Sequence, residues 1–83
     1  DLIVLRAYGM EKFYLKDLPI HPSQRELSVT DEYADFELFL HPTSDFKAHL
    51  LSRGEWLQVI QPQWLASDIR NWLQAAIQKY KKE

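Results

Sequence analysis

The chain has no cysteine, which excludes disulfides, a thiolate nucleophile and thiolate zinc sites. It has only two glycines, Gly9 and Gly54, so no glycine-rich loop is available to bind phosphate groups. No run approaches the roughly 18 consecutive apolar residues of a membrane-spanning helix. The formal net charge is −2, which argues against a surface that binds nucleic acid through phosphate contacts.

The residues that are present are sufficient to build one core. The chain is 46% hydrophobic and 13% aromatic, unlike a disordered segment. A chain of this size buries roughly 60% of its unfolded surface, so we expect residues 1–83 to form a single domain. The strand-like run that starts at Asp1 has no initiator Met, and we therefore expect a C-terminal fragment of a larger protein. The absence of cysteine and of a signal peptide favours a cytoplasmic location.

The apolar pattern predicts four strands and three helices. Strands are expected at 2–7, in the second half of 20–30, at 33–41 and at 56–61. Helices are expected at 8–18, at 45–53 after an N-cap hydroxyl, and between Pro62 and Tyr80. This order is typical of an α+β, ferredoxin-like βαββαβ fold with an additional C-terminal helix. In that fold the helices cover one face of a four-stranded antiparallel sheet.

The helical patterns also predict which side chains face the core. In the first helix the apolar positions are expected to face inward and Glu11 to face solvent. In the last helix we expect one continuous inner stripe. The inward positions are Met10, Phe13, Tyr14, Leu15 and Leu18 in the first helix, and Leu65, Ile69, Trp72, Leu73, Ala76, Ile77 and Tyr80 in the last. Cations that the helix dipole favours gather at the C-terminal end: Lys79, Lys81 and Lys82.

No arrangement of residues predicts a catalytic or metal centre. The histidines His21, His41 and His49 are 20 and 8 positions apart, unlike the close ligand pairs of a helical metal site. No nucleophile has an adjacent base. The carboxylates that cluster near the predicted hairpin are expected to be solvated charges: Asp31, Glu32, Asp35 and Glu37. We therefore expect no enzymatic activity, no cofactor and no bound metal.

One irregular segment places unusual chemistry close together. His21, Ser23, Gln24 and Arg25 bring an imidazole, a hydroxyl, an amide and a guanidinium into five residues around Pro22. Such a segment can contact a ligand, a second domain or a partner. An ordinary turn, in which the Ser and Gln side chains bond to local backbone groups, is the alternative interpretation.

The outward face of the predicted sheet is more apolar than a solvated face should be. Tyr33, Phe39, Trp56 and Ile60 are expected there, and an exposed apolar patch is typical of an interaction surface. We therefore predict that Phe39, Trp56 and Ile60 belong to an interface.

Several stretches together resemble the C-terminal part of WYL-domain proteins, a family of bacterial transcriptional regulators. The first stretch contains a histidine-x-serine-glutamine segment and is Leu18-Pro19-Ile20-His21-Pro22-Ser23-Gln24. The second is a strand followed by the start of a helix, Phe36-Glu37-Leu38-Phe39-Leu40 with Pro42-Thr43 and Asp45-Phe46. The third combines a glycine, a valine-containing strand and a proline-x-x-leucine step, Gly54 with Gln58-Val59-Ile60-Gln61-Pro62 and Leu65, and Tyr80 lies near the end of the last helix.

The resemblance implies a parent protein with an N-terminal winged helix-turn-helix, a central WYL domain and this C-terminal extension, which has a ferredoxin-like fold in that family. It implies a non-catalytic regulatory and dimerisation domain whose partners are its own WYL domain or a second copy. DNA would be bound only through the N-terminal domain, which the 83 residues do not contain. Of these residues, His21, Ser23 and Gln24 match a segment that we nominate as a contact site.

Two alternatives remain open for a domain with this fold. A free-standing small-molecule sensor would need a pocket near a glycine, and Gly9 after the first strand is the candidate. An acylphosphatase-like enzyme would need an anion-binding loop with an arginine. Arg6 lies close to Gly9, but no glycine-rich loop or well-placed Asn follows the first strand, which disfavours the enzyme.

Overall fold

The computed structural model describes residues 1–81, which form a sheet of four strands and three α-helices. The strands are β1 (Leu2–Tyr8), β2 (Arg25–Val29), β3 (Tyr33–Phe39) and β4 (Leu57–Gln61). The helices are α1 (Glu11–Asp17), α2 (Ser44–Ser52) and α3 (Gln63–Tyr80), and a short 3-10 turn (Gly54–Trp56) precedes β4. Lys82, predicted to belong to the basic group at the end of the last helix, lies outside the described residues.

The strand order in the sheet is β2-β3-β1-β4, and all neighbouring strands are antiparallel. This order confirms the predicted α+β, ferredoxin-like arrangement with an additional C-terminal helix. In β1 and β3, every second side chain is buried, so one face of the sheet is covered. All three helices contribute to the same buried cluster, which consists of Ile3, Leu5, Ala7, Leu15, Ala34, Phe36, Leu38, Phe46, Leu50, Leu57, Val59 and Leu65.

The helix α1 differs from its prediction in both its start and its inner face. The strand β1 continues through Tyr8, which pairs with Tyr33, and Gly9 then turns the chain with φ +57°. The helix therefore begins only at Glu11 and has seven residues. Of the five predicted inward positions only Leu15 is buried, while Glu11, predicted to face solvent, is 5% exposed. The predicted inner face of α1 was wrong because a helix this short turns only one narrow stripe, Glu11 and Leu15, toward the sheet.

The two ends of α2 agree more closely with their predictions. The Thr43 hydroxyl accepts the Phe46 backbone N–H at 3.2 Å, so a hydroxyl of the predicted stretch 42–45 does cap α2, which begins at Ser44, one residue before the predicted start. Gly54 has φ +58°, the left-handed conformation that glycine adopts most readily, as predicted after this helix. Trp56 belongs to the 3-10 turn rather than to β4, which begins one residue later than predicted.

The long helix α3 is buried only over its first half. Leu65 is fully buried and Ile69 packs against the core, but residues 70–80, which we call the outer half of α3, are exposed throughout. The predicted continuous inner stripe was therefore wrong, and Trp72 is 48% exposed rather than part of the core. The reason is length. An 18-residue helix extends about 27 Å, whereas the five residues of β4 span about 17 Å.

Candidate interaction surfaces

The predicted contact segment at residues 21–25 forms a hydrogen-bonded turn between α1 and β2. The Ser23 hydroxyl oxygen accepts the Phe39 backbone N–H at 2.8 Å and lies 3.1 Å from the Phe39 carbonyl oxygen. It also lies 2.7 Å from Nδ1 of His21, which accepts the Ser23 backbone N–H at 3.1 Å. Ser23 thus bonds to both backbone groups of Phe39, where β3 ends.

Gln24 holds the other side of the same turn. Its Nε2 donates to the Leu15 carbonyl oxygen at 2.8 Å, and its Oε1 accepts the Ile20 backbone N–H at 2.9 Å. The amide therefore bonds to a carbonyl near the C-terminal end of α1, where intrahelical partners are lacking. These bonds match the ordinary-turn interpretation of Ser23 and Gln24. As a contact site for a partner, residues 21–25 stay a prediction.

The uncovered face of the sheet, which we call the open face, carries a closed polar cluster at one end. Arg6 donates from Nε and Nη2 to the two carboxylate oxygens of Asp35, at 2.8 and 3.0 Å, and its guanidinium lies 4.0 Å from the centre of the Tyr33 ring. The hydrogen bond to Asp35 is the main cause that raises the pKa of the Arg6 guanidinium above its ordinary value. Tyr8 contacts Tyr33 edge-to-face and donates to Oε1 of Gln58 at 2.6 Å.

Charge pairing continues on β2, where Arg25 lies 2.6 Å from a carboxylate oxygen of Glu37. The side chain of Arg25 is 71% exposed, so this pair contributes little to stability. Together with the cluster around Arg6, it satisfies most charged groups of the open face within the chain. This part of the sheet is therefore not an apolar docking surface.

The other end of the open face is apolar. Phe39 is 55% exposed and pairs across β1 and β3 with Leu2, which is 38% exposed. Ile60, 36% exposed, lies at a register irregularity between β1 and β4, next to Val4. The predicted interface residues Phe39 and Ile60 thus flank β1 at one end of the open face.

Trp56, the third predicted interface residue, lies elsewhere. Its ring covers Gly9, so that a Cβ at that position would be 3.1 Å from the ring. It lines a small depression with Gly9, Met10 and Tyr14 at the start of α1. Trp56 is 51% exposed, but it does not belong to the same patch as Phe39 and Ile60.

The outer half of α3 presents a row of exposed apolar side chains. Trp72, Leu73, Ile77 and Tyr80 are 48%, 42%, 52% and 88% exposed, and they follow helical spacing on one side of the helix. We call these four residues the α3 stripe. Single exposed apolar residues are common, but a row of four with helical spacing is typical of a helix that packs against another surface.

A groove next to this stripe runs between α3 and β4. It encloses about 550 Å³ and has apolar walls from Leu57, Val59, Ile69 and Leu73, with Arg70 at its rim. Because β4 is an edge strand, its outer backbone groups have no partner strand in the sheet order. The groove shares Leu73 with the α3 stripe, so the two form one continuous apolar region.

A second cleft, between α1 and α2, contains buried polar groups. It encloses about 500 Å³ and includes Glu11, His49 and Arg53. Glu11 Oε2 and Arg53 Nε are 3.4 Å apart as an ion pair, yet neither atom has a hydrogen-bond partner, and Nε2 of His49 is also buried without one. Within residues 1–81, no group of three or more histidine or acidic side chains has the geometry to hold a metal ion.

No protein-family model matches this chain, and no curated protein matches it either. The resemblance to WYL-domain regulators therefore stays a prediction from the sequence motifs quoted above. Among the described residues, no helix is both long enough and apolar enough to cross a membrane.

Two features of these surfaces were not predicted from the sequence. One is the exposure of the α3 stripe, since the periodicity that predicts an apolar face is the same whether that face is covered within the chain or not. The other is the burial of Glu11. A signal existed for it: Glu11 lies four residues before Leu15, and residues spaced by four share one helix face.

Proposed function

We propose that the chain is the C-terminal regulatory and interaction domain of a WYL-type bacterial transcriptional regulator, without catalytic activity of its own. The observation that carries this proposal is the α3 stripe, whose four large apolar side chains lie beyond the part of the sheet that could cover them. The ferredoxin-like order of the strands supports it, because a ferredoxin-like fold is what the WYL resemblance implies. In this proposal the domain acts in the cytoplasm, and DNA is bound only through an N-terminal domain of the parent protein.

The size of the stripe limits the kind of partner. Trp72, Leu73 and Ile77 are each about half exposed, and burying the exposed half of a large apolar side chain is worth about 1 kcal/mol. Association of two free molecules costs about 4–15 kcal/mol in lost freedom, so the stripe alone is too small for a stable complex between them. Two partners overcome this limit: the WYL domain of the same polypeptide, since linkage raises its effective concentration, or a second copy that also fills the groove beside β4.

Such an interface can regulate DNA binding by the parent protein if its two surfaces pack together in two different arrangements. An effector that binds one arrangement more tightly shifts the population toward it and changes how the DNA-binding domains are held. In this mechanism the domain transmits a signal through packing and needs no catalytic group. The apolar end of the open face, with Phe39 and Ile60, is the second surface that a partner would cover.

Sedimentation velocity of the 83-residue chain and of the intact gene product tests the proposal. Ile77→Asp and Phe39→Asp each place a charge on a proposed contact surface, and at least one of them is expected to reduce assembly. Leu27→Asp is the matched control, because Leu27 is 47% exposed on the opposite sheet edge, in β2. The interface proposal fails if neither charge alters assembly of the fragment or the intact protein. The family proposal fails if the intact gene product contains no winged helix and no WYL core.

A further inference from the structure

The two edges of the sheet differ in how they are protected from a further strand. A sheet edge has a row of backbone N–H and C=O groups without a partner strand, and folded proteins protect such edges with charged side chains, bulges or a covering element. The edge strand β2 contains Arg25 and Glu26 and has a register irregularity between Glu26 and Ser28. The other edge strand, β4, contains no charged residue. Its irregularity lies at Ile60, so residues 57–59 form a regular and uncharged edge.

The apolar groove described above runs along this uncharged edge. α3 packs against β4 itself, and the groove of about 550 Å³ between them has walls from Leu57, Val59, Ile69 and Leu73. Successive side chains of a strand point to opposite faces, so a strand added to β4 would direct every second side chain toward this groove. An edge with free backbone groups and a groove for alternate side chains together bind a peptide as an added strand. The five residues of β2, in contrast, are all exposed.

The charged residues of the groove indicate the charge pattern of an occupant. Arg70 on α3 and Glu55 in the turn before β4 both line the groove and are exposed. Neither side chain forms an ion pair within residues 1–81. Since α3 returns along β4 from Pro62, Arg70 lies about 12 Å back along the helix, near the start of β4 and so near the end at which Glu55 lies. A segment that carries an acidic and a basic residue at this end complements both charges.

The packing of α3 favours a peptide over a second copy of the chain as the strand that pairs with β4. If two chains were joined through antiparallel β4 strands, these strands would be about 4.8 Å apart. Each chain carries its α3 on β4, and in that arrangement both helices would lie on the same face of the joined sheet. Packed helices need about 8–10 Å between their axes, so the two copies of α3 would collide. A peptide segment has no helix of its own to accommodate.

From these observations we infer that β4 binds an extended peptide segment of a partner protein as an added strand. Alternate apolar side chains of the segment occupy the groove, and an acidic and a basic residue lie beside Arg70 and Glu55. The segment runs antiparallel to β4, as β1 does on the other side, so its charged residues lie at its C-terminal end. The backbone bonds and apolar contacts supply the affinity, while the charges fix the direction, since exposed ion pairs contribute little energy.

Titration of the isotope-labelled chain with the peptide acetyl-Thr-Val-Thr-Val-Lys-Glu-amide, followed by amide NMR shifts, tests the site. In an extended conformation the two valines and the glutamate of this peptide share one face. The peptide is expected to bind with a Kd of about 1 mM or tighter, with the largest shifts in β4 and in the first half of α3. The amides of β2 should not shift, because the charges on that edge disfavour an added strand.

Two N-methylated forms of the peptide separate strand addition from apolar contact alone. Only alternate backbone N–H groups of an added antiparallel strand point toward the edge. One form carries N-methyl groups on both valines, and the other carries them on the second threonine and the lysine. One of the two forms should bind at least about tenfold more weakly than the unmethylated peptide, because its donors to β4 are lost. The other should bind within about threefold of it, because its methyl groups point away from the edge.

A charge exchange tests the predicted direction of the segment. Arg70→Glu should weaken binding of the peptide about three- to tenfold, and a peptide that ends in Lys-Lys should bind this variant more tightly than it binds the unaltered chain. Lys79→Glu makes the same change of charge on α3 beyond the groove and should leave both affinities unaltered. The dispersion of the amide spectrum reports whether each variant is folded. Because the N-methyl series uses the unaltered chain, it decides the question even if a variant does not fold.

Three results would overturn the inference. The first is the absence of saturable shifts, which would mean that β4 does not accept a further strand. The second is equal affinity for all three backbone forms, which would mean that apolar contact alone fills the groove. The third is protection of the outer β4 amides from hydrogen exchange in a free chain that sediments as a dimer, which would mean that a second copy occupies the edge. This inference does not rest on the proposed regulatory function, and Ile77→Asp, which tests the α3 stripe outside the groove, should leave peptide binding unchanged.

Discussion

The two halves of α3 have the same apolar periodicity and opposite surroundings. In the first half Leu65 is fully buried, and Ala66 and Ile69 pack against the core. In the outer half Trp72 and Ile77, at equivalent helical positions, are about half exposed. The comparison shows that periodicity identifies the face of a helix that can be buried, while the length of the strands beneath decides how much of it the chain buries itself.

The largest expected effect tests this difference directly with one substitution made in each half. Leu65→Ala should lower the free energy of unfolding by about 2–5 kcal/mol, because it removes a fully buried side chain and leaves a cavity. Leu73→Ala changes the same residue type eight positions further on, where 42% of the side chain is exposed, and should cost less than about 1 kcal/mol. Urea denaturation measures both. Similar losses for the two variants would mean that the outer half is covered by the chain in solution.

The part of the fold that followed from the sequence is the part in which local pattern and tertiary burial agree. In β3 the alternation of Ala34, Phe36 and Leu38 with polar residues predicted the covered face, and all three are buried. The hydroxyl-bearing stretch 42–45 and Gly54 predicted the two ends of α2 to within one residue, because capping is a local property.

The features of the fold that were predicted wrongly depend on distances between helices and strands, which no local sequence pattern contains. Trp72 looks like a core residue in sequence, and only the short span of β4 leaves it uncovered. Glu11 looks like a surface residue, and only the packing of α1 against the end of α2 brings it beside Arg53. For the cleft between α1 and α2, the sequence therefore predicted that His49 and Arg53 belong to one helix, but it did not predict that they lie close to Glu11.

A smaller effect is expected at the turn between β1 and α1, which fixes how that helix meets the sheet. Gly9 and Gly54 have nearly equal φ values, +57° and +58°, but only Gly9 is covered, by the ring of Trp56. Gly54→Ala should cost about 1 kcal/mol for the left-handed conformation alone. Gly9→Ala should cost about 2 kcal/mol, because the ring of Trp56 must also move away from the new Cβ.

The difference between the two glycine variants isolates the contribution of Trp56. Thermal unfolding of both variants, beside the Trp56→Ala chain, measures it. In the Trp56→Ala background, Gly9→Ala should cost no more than Gly54→Ala. If the excess cost persists without the indole ring, the contact between Gly9 and Trp56 does not explain it.

A further test concerns polar bonds that hold the first part of the chain together. Ser23→Ala removes the acceptor for the Phe39 N–H and the donor to the Phe39 carbonyl oxygen, and should cost about 1 kcal/mol. Ser28→Ala is the control on the neighbouring strand, since no side-chain hydrogen bond is found for Ser28 within residues 1–81. Hydrogen exchange at the Phe39 amide should accelerate in Ser23→Ala and stay unchanged in Ser28→Ala. Unchanged protection of that amide in both would show that Ser23 does not hold the end of β3.

The smallest expected effect on stability is also the sharpest test of the comparison. Ile77→Asp places a charge in the middle of the α3 stripe, where the side chain makes no buried contact with the core of residues 1–81. Surface substitutions of this kind change the free energy of unfolding by about 0.5 kcal/mol or less. Ile69→Asp, two helical turns earlier, introduces the same charge where the side chain packs against the core, and should destabilise the chain strongly. Urea denaturation at a concentration where the wild-type chain is monomeric separates this intrinsic stability from any contribution of association. A large loss for Ile77→Asp under those conditions would mean that the outer half of α3 folds back onto the chain, and the α3 stripe would then have no surface left to offer a partner.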